Sequence, residues 1–138
     1  MPKELTEKKL EQMKTIINKL EKLLYTSLDE FLKDQFIVDA TERNFQLWVD
    51  IACDINIQLL VESGLETPDT YKQSFDKLNR FNILDQKTIK ELATSAQLRN
   101  ILVHEYDFDE DPQKFYYSAK KYLPIYKNYL EAIFKYIN

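Results

Sequence analysis

Apolar residues recur along the chain at alternating steps of three and four. Leu10, Met13, Ile17, Leu20, Leu24, Leu28 and Phe31 form one such stripe, with lysines and glutamates between them. That spacing predicts an amphipathic helix over roughly residues 4 to 33. The stripe covers only about three heptads, so packing within a bundle is expected rather than a coiled-coil seam. A second pattern begins after Asp39 or Thr41, either of which can cap a helix. It runs through Phe45, Trp48, Ala52, Ile55 and Leu59 to Ser63. Gly64 then falls where a left-handed residue closes a helix, and Pro68 in ETPDT marks a turn.

A shorter helix is expected from about Thr70 to Arg80, presenting Tyr71, Phe75 and Leu78. Asp85 can cap a fourth helix carrying Ile89, Leu92, Ala96 and Leu102. After the acidic stretch DFDED, Asp111 and Pro112 make a good N-cap and first helical residue for a last segment. Pro124 is expected to break that segment in two, because a proline inside a helix costs about 3 kcal/mol. The chain shows no internal repeat and no low-complexity tract. The predicted fold is therefore all-α, an up-and-down bundle of four to five main helices.

Composition narrows this further. The 138 residues, 44% apolar and 13% aromatic, suffice for one core and are too few to favour two, so a single domain over residues 1–138 is expected. One glycine and four prolines leave few helix breakers. The polar start, MPKELTEKKL, has no apolar region of the kind export signals carry, and no run reaches the ~18 apolar residues of a membrane span. Cys53 is alone and sits in an apolar helical pattern, so a reducing, cytoplasmic setting without membrane association is expected. The formal charge of -4 argues against coating nucleic acid through a broad basic face, so any such contact is local.

Several chemistries are excluded by residue supply. One histidine and one cysteine, far apart, give neither HExxH nor paired CxxC spacing, so no metal site and no bound cofactor are expected. A single glycine rules out a P-loop and a dinucleotide fingerprint. Cys53 reads as inert core, and Glu42, Asp50 and Asp54 read as a solvated or ion-paired helix face.

What remains is the stretch RNILVHEY, Arg99 to Tyr106, which holds the only histidine. At about 100° per residue, Arg99 and His104 project roughly 140° apart and do not share a helix face. His104 is placed in a last helical turn, where the helix dipole favours positive charge and hence an anionic partner. From the residues alone, two readings stay open. One is a reaction centre. The other is a histidine satisfying a helix end, an arginine in an ion pair and a tyrosine ring that packs. Phe45, Trp48 and Tyr25, like the tyrosines at 116, 117, 122, 126, 129 and 136, suit either a core or an interface, and some suit stacking on bases.

RNILVHEY resembles the R-x4-H-x-Y motif of the HepT-like toxins, within the wider HEPN group of small helical ribonucleases. The likeness extends to TERNFQLWVDIACDIN, which resembles that family's second helix. It also takes in TPDTYKQSFDKLNRFNILDQKTIKELATSAQLRNILVHEYDFDED, which looks like the following helix, turn and motif helix in the same order. It covers roughly residues 5 to 137.

The resemblance implies the toxin of a type VII-like toxin–antitoxin pair, a metal-independent endoribonuclease acting as a homodimer on tRNA or mRNA. It carries Arg99 and His104 over as catalytic residues, and Asn100 as the supporting polar residue after the arginine. In that chemistry the 2′-hydroxyl attacks the adjacent phosphate, Arg99 holds the phosphate oxygens and His104 moves the proton. A two-fold dimer would supply the second histidine that acid and base together require. The resemblance also marks Tyr106 as the residue to which an MntA-like minimal nucleotidyltransferase antitoxin adds AMP. An alternative role is a non-catalytic helical partner, or substrate-binding subunit, of such a nucleotidyltransferase.

Overall fold

A computed structural model describes residues 3–104 and 111–138. Among them are α1 (Lys3–Tyr25), α2 (Leu28–Lys33), α3 (Gln35–Glu62), α4 (Tyr71–Asp76) continuing as a 3₁₀ turn (Lys77–Phe81), α5 (Gln86–Val103) and α6 (Pro112–Ile137). The described residues form an all-α bundle with no strand. α1 runs antiparallel to α3, with Lys9 early in α1 pairing with Asp54 late in α3 at 3.3 Å. It also runs antiparallel to α6, where Tyr116 Oη early in α6 donates to the Leu24 carbonyl late in α1 at 3.5 Å.

The helix expected over residues 4 to 33 is two helices. Ser27 adopts extended backbone and its hydroxyl accepts from the Glu30 N–H at 3.3 Å, which starts α2 as a separate element. The Thr26 carbonyl freed by the break accepts from Tyr116 Oη of α6 at 2.6 Å. A half-buried acceptor that the helix no longer pairs thereby gains a donor.

α3 starts earlier than the pattern suggests. Asp34, not Asp39 or Thr41, is its cap, with Oδ1 accepting from the N–H groups of Phe36 and Ile37 at 3.0 and 3.4 Å. Thr41 lies inside the helix and bonds back to the Ile37 carbonyl at 2.7 Å. The end of α3 is as expected. Gly64 has φ +74, its N–H returns to Val61 O at 3.0 Å, and the Leu65 N–H returns to Leu60 O at 2.9 Å. This is the Schellman arrangement, and its left-handed residue favours glycine.

Asp85 and Asp111 cap helices as predicted, accepting from the Thr88 and Gln113 N–H groups at 2.7 and 3.0 Å. Thr70, expected as the first residue of its helix, is instead its cap, accepting from the Gln73 N–H at 3.1 Å. The expected helix from Thr70 to Arg80 is α4 plus the 3₁₀ turn, which stops at Asn82 in left-handed backbone, φ 53.

Pro124 does not break α6, which is continuous from Pro112 to Ile137. Its buried stripe of Phe115, Tyr116, Ala119, Tyr122, Tyr126, Tyr129 and Ile133 passes straight through. Burying each large apolar side chain contributes roughly 1.5–3 kcal/mol, so several together outweigh the ~3 kcal/mol of an interior proline. Pro124 and Lys120 are both exposed, and the proline lacks the N–H that would bond the Lys120 carbonyl.

The core assigns the ambiguous aromatics. Phe45 and Trp48 are fully buried, whereas Tyr25 is 91% exposed. Trp48 stacks on Tyr126 with ring centroids 4.2 Å apart and planes 6° from parallel. Tyr116, Tyr122, Tyr126 and Tyr129 belong to the core, while Tyr117 and Tyr136 are exposed. Among the described residues, no helix is long and apolar enough to cross a membrane.

Candidate active site

α5 carries Arg99 and Asn100 of the motif. Its inner face buries Ile89, Leu92, Ala93, Ser95, Ala96 and Leu102, and this fixes the direction in which Arg99 leaves the helix. That direction is inward, towards α3 and α4. The Arg99 Nε donates to Asp50 Oδ1 at 3.0 Å, with the two side chains 22% and 30% exposed. The guanidinium carbon lies 4.7 Å from the centre of the Tyr71 ring, within the range of a cation–π contact. Nη1 donates to Asn100 Oδ1 at 3.2 Å. Arg99 is thus held at its inner edge, at one face and at one outer nitrogen.

His104 is the C-cap of α5, φ -108 and ψ 30, and its backbone N–H returns to the carbonyls of Asn100 and Ile101 at 3.3 and 3.2 Å. Its side chain is exposed. The structure therefore brings Arg99 and Asn100 together, and places His104 at the helix end where the sequence put it. Tyr106 lies outside the described residues.

Asp50 and Tyr71 are site neighbours that the sequence does not connect with Arg99. Asp50 was readable only as a charge within the apolar run LWVDIAC, the position at which a core helix edge meets a partner charge. The ion-paired reading holds for it and for Asp54, which pairs with Lys9. Glu42 is buried at 8% exposure, so the solvated reading does not hold for it. Tyr71 carried no signal beyond its place in a short apolar pattern.

The surroundings are electrostatically simple. Burial, then the negative charge of Asp50, push the Tyr71 hydroxyl above its ordinary value, with Arg99 pulling the other way. It stays protonated near neutral pH. Cys53 is buried next to Tyr71, with Sγ 3.9 Å from the Tyr71 carbonyl. Burial pushes its thiol up to about 12, so it is an inert side chain and no nucleophile. Among the described residues, no three His, Cys, Asp or Glu side chains converge so as to hold a metal ion.

Comparison with known proteins places the chain. The family model described as "Ribonuclease HepT-like" matches residues 13–133. The tRNA nuclease HepT of Aphanizomenon flos-aquae (strain 2012/KM1/D3) is 35% identical over 133 residues, 95% of this chain and 88% of that protein. A solved structure of the tri-AMPylated Shewanella oneidensis HEPN toxin in complex with MNT antitoxin superposes with a TM-score of 0.85 at 22% identity, covering 96% of this chain and 98% of that one. A toxin–antitoxin MntA-HpeT structure gives a TM-score of 0.82 at 22% identity, covering 93% and 96%. At that identity, the two structural likenesses speak to the fold.

Proposed function

Since the chain belongs to the HepT-like ribonuclease family, we propose that it is the toxin of a toxin–antitoxin pair and cuts RNA without a metal ion, with Arg99 and His104 as its catalytic residues. The observation that carries this reading is the clamped Arg99. Its Nε is taken by Asp50 and its face by Tyr71, so the N–H groups left on Nη1 and Nη2 form the edge available to an anion. An arginine serving only as a structural ion pair has no need of a flat aromatic floor that fixes its plane.

The reaction follows from these groups. The 2′-hydroxyl oxygen of RNA attacks the adjacent phosphorus and the bond to the 5′ oxygen breaks, leaving a 2′,3′-cyclic phosphate and a 5′-hydroxyl. Arg99 stabilises the charge growing on the phosphate oxygens through charge-assisted hydrogen bonds. Histidine suits the proton transfers because it changes charge near neutral pH. His104 accepts the proton of the attacking hydroxyl, and the partner subunit's His104 protonates the leaving oxygen across a two-fold axis. The exposure of His104 at the end of α5 is compatible with that shared cleft. Asn100 supports the site by holding Nη1.

RNA is the substrate class, and the name of the Aphanizomenon relative favours tRNA over mRNA. The inhibitor is an MntA-like minimal nucleotidyltransferase that transfers AMP to Tyr106, as the AMPylated Shewanella toxin in complex with its antitoxin suggests. AMP groups at Tyr106 would bring negative charge two residues from His104, opposing RNA by repulsion and competing for Arg99. The test is direct: the purified protein cleaves tRNA in the presence of EDTA and the folded His104→Ala variant does not.

A further inference from the structure

The reaction above uses Arg99, Asn100 and His104 and gives Asp50 and Tyr71 no part. Both touch Arg99, and the backbone of Tyr71 is fixed from behind. Thr70 caps α4, so Tyr71 is its first helical residue. One turn on, Ser74 Oγ donates to the Tyr71 carbonyl at 2.7 Å and accepts from Asn56 Nδ2 of α3 at 3.1 Å. Asn56 Oδ1 in turn accepts from Tyr129 Oη of α6 at 2.6 Å. Asn56, Ser74 and Tyr129 are all fully buried. A continuous buried chain thus runs from α6 through α3 to the backbone that carries Tyr71, and Asp50 lies on the same helix as Asn56.

Resting on the ribonuclease reading, we propose that Asp50 and Tyr71 are positioning residues for Arg99, clamping its guanidinium by the Nε edge and the ring face so that the Nη edge meets the phosphodiester in one orientation. An arginine side chain free in solution samples many rotamers, and each must be given up when it binds phosphate. Here much of that ordering is complete before substrate arrives, which is what an electrostatic stabiliser of a transition state requires. A displacement of about 1 Å at a reacting centre can cost on the order of a hundredfold in rate, so loss of either clamp appears in kcat before it appears in KM.

The experiment compares the full-length parent, Asp50→Ala, Tyr71→Leu and Tyr71→Phe in RNA cleavage, and follows the side-chain Nε–H signal of Arg99 by NMR in the absence of RNA. Circular dichroism confirms folding. The expected result is a kcat lower by roughly tenfold or more in Asp50→Ala and Tyr71→Leu, with KM changed by less than about threefold, and recovery of most of the loss in Tyr71→Phe, which keeps the ring. The Arg99 signal should shift and exchange faster with solvent in Asp50→Ala and Tyr71→Leu. Parent-like kcat in both variants, or an Arg99 signal that neither variant moves, overturns the proposal. A parent that cuts no RNA sinks the ribonuclease reading instead, and the Arg99 signal then still decides whether the clamp exists. Should Tyr71→Leu fail to fold, Asp50→Ala, altered at a partly exposed side chain, carries both readouts.

Discussion

Arg99 of α5 is tied to Asp50 of α3 through a single hydrogen bond, Nε to Oδ1 at 3.0 Å, and not through the two-pronged fork that arginine and carboxylate often form. The one-point contact leaves the outer nitrogens free of the carboxylate. A fork would have spent the edge that a phosphate needs.

Arg99→Ala should therefore remove activity far more than stability. Both partners are roughly a quarter exposed, so solvent screens the pair and its contribution is about 1 kcal/mol or less. Loss of a group that stabilises developing charge costs about 10²–10³ in rate. Arg99→Lys should recover little of this, because an ammonium has neither the Nε donor nor a flat face for Tyr71. Initial cleavage rates beside thermal midpoints check both halves of the expectation.

Tyr129→Phe tests the buried chain behind the site. The hydroxyl donates to Asn56 Oδ1 at 2.6 Å and lies 3.0 Å from the Ala52 carbonyl. Removing it strands buried acceptors, and a loss of about 1–3 kcal/mol in urea denaturation is expected. A change below about 0.5 kcal/mol would show that this chain does not hold α3 and α6 together.

The protein should lose stability in alkali. The Cys53 thiol stands at about 12 against an ordinary 9.0, chiefly because burial disfavours the thiolate, and burial likewise holds Tyr126 and Tyr129 well above 10.0. Above pH ~9 the unfolded chain releases these protons while the folded chain keeps them. Stability is therefore fully present below that pH and falls as the pH climbs towards about 12, with a slope of up to about 1.4 kcal/mol per unit for each such group. Urea midpoints at about pH 8 and about pH 10.5 should differ in that direction, and Cys53→Ala should flatten the slope.

A shared two-histidine site requires two copies of the chain. Light scattering at the concentration of the cleavage assay should give twice the mass of the chain, and dilution below the dimer dissociation constant should lower specific activity. A monomer with undiminished specific activity would remove the second histidine from the reaction.

Much of the fold was legible because helix caps are local events. Asp85, Asp111 and Gly64 each act within four residues of their own position, and each was read correctly. The Ser27 and Asp34 caps are just as local and were missed, and other misreadings came where distant residues decide. The Thr26 carbonyl freed at the break before Ser27 finds its donor in Tyr116, 90 residues from Thr26. The survival of α6 across Pro124 depends on a buried stripe whose strength belongs to the whole core. The candidate site divides the same way. Arg99, Asn100 and His104 lie within one stretch, RNILVH, that a motif can expose. Asp50 and Tyr71 join them only through folding, so neither spacing nor composition pointed to them.

The most direct test of the ribonuclease reading is to map the RNA ends produced in EDTA by protein made without its antitoxin, beside His104→Ala. The predicted result is cleavage by the parent alone, leaving 2′,3′-cyclic phosphates and 5′-hydroxyls. No cleavage by a folded, unmodified dimer, or cleavage that needs a divalent cation and leaves 3′-hydroxyl ends, would contradict it.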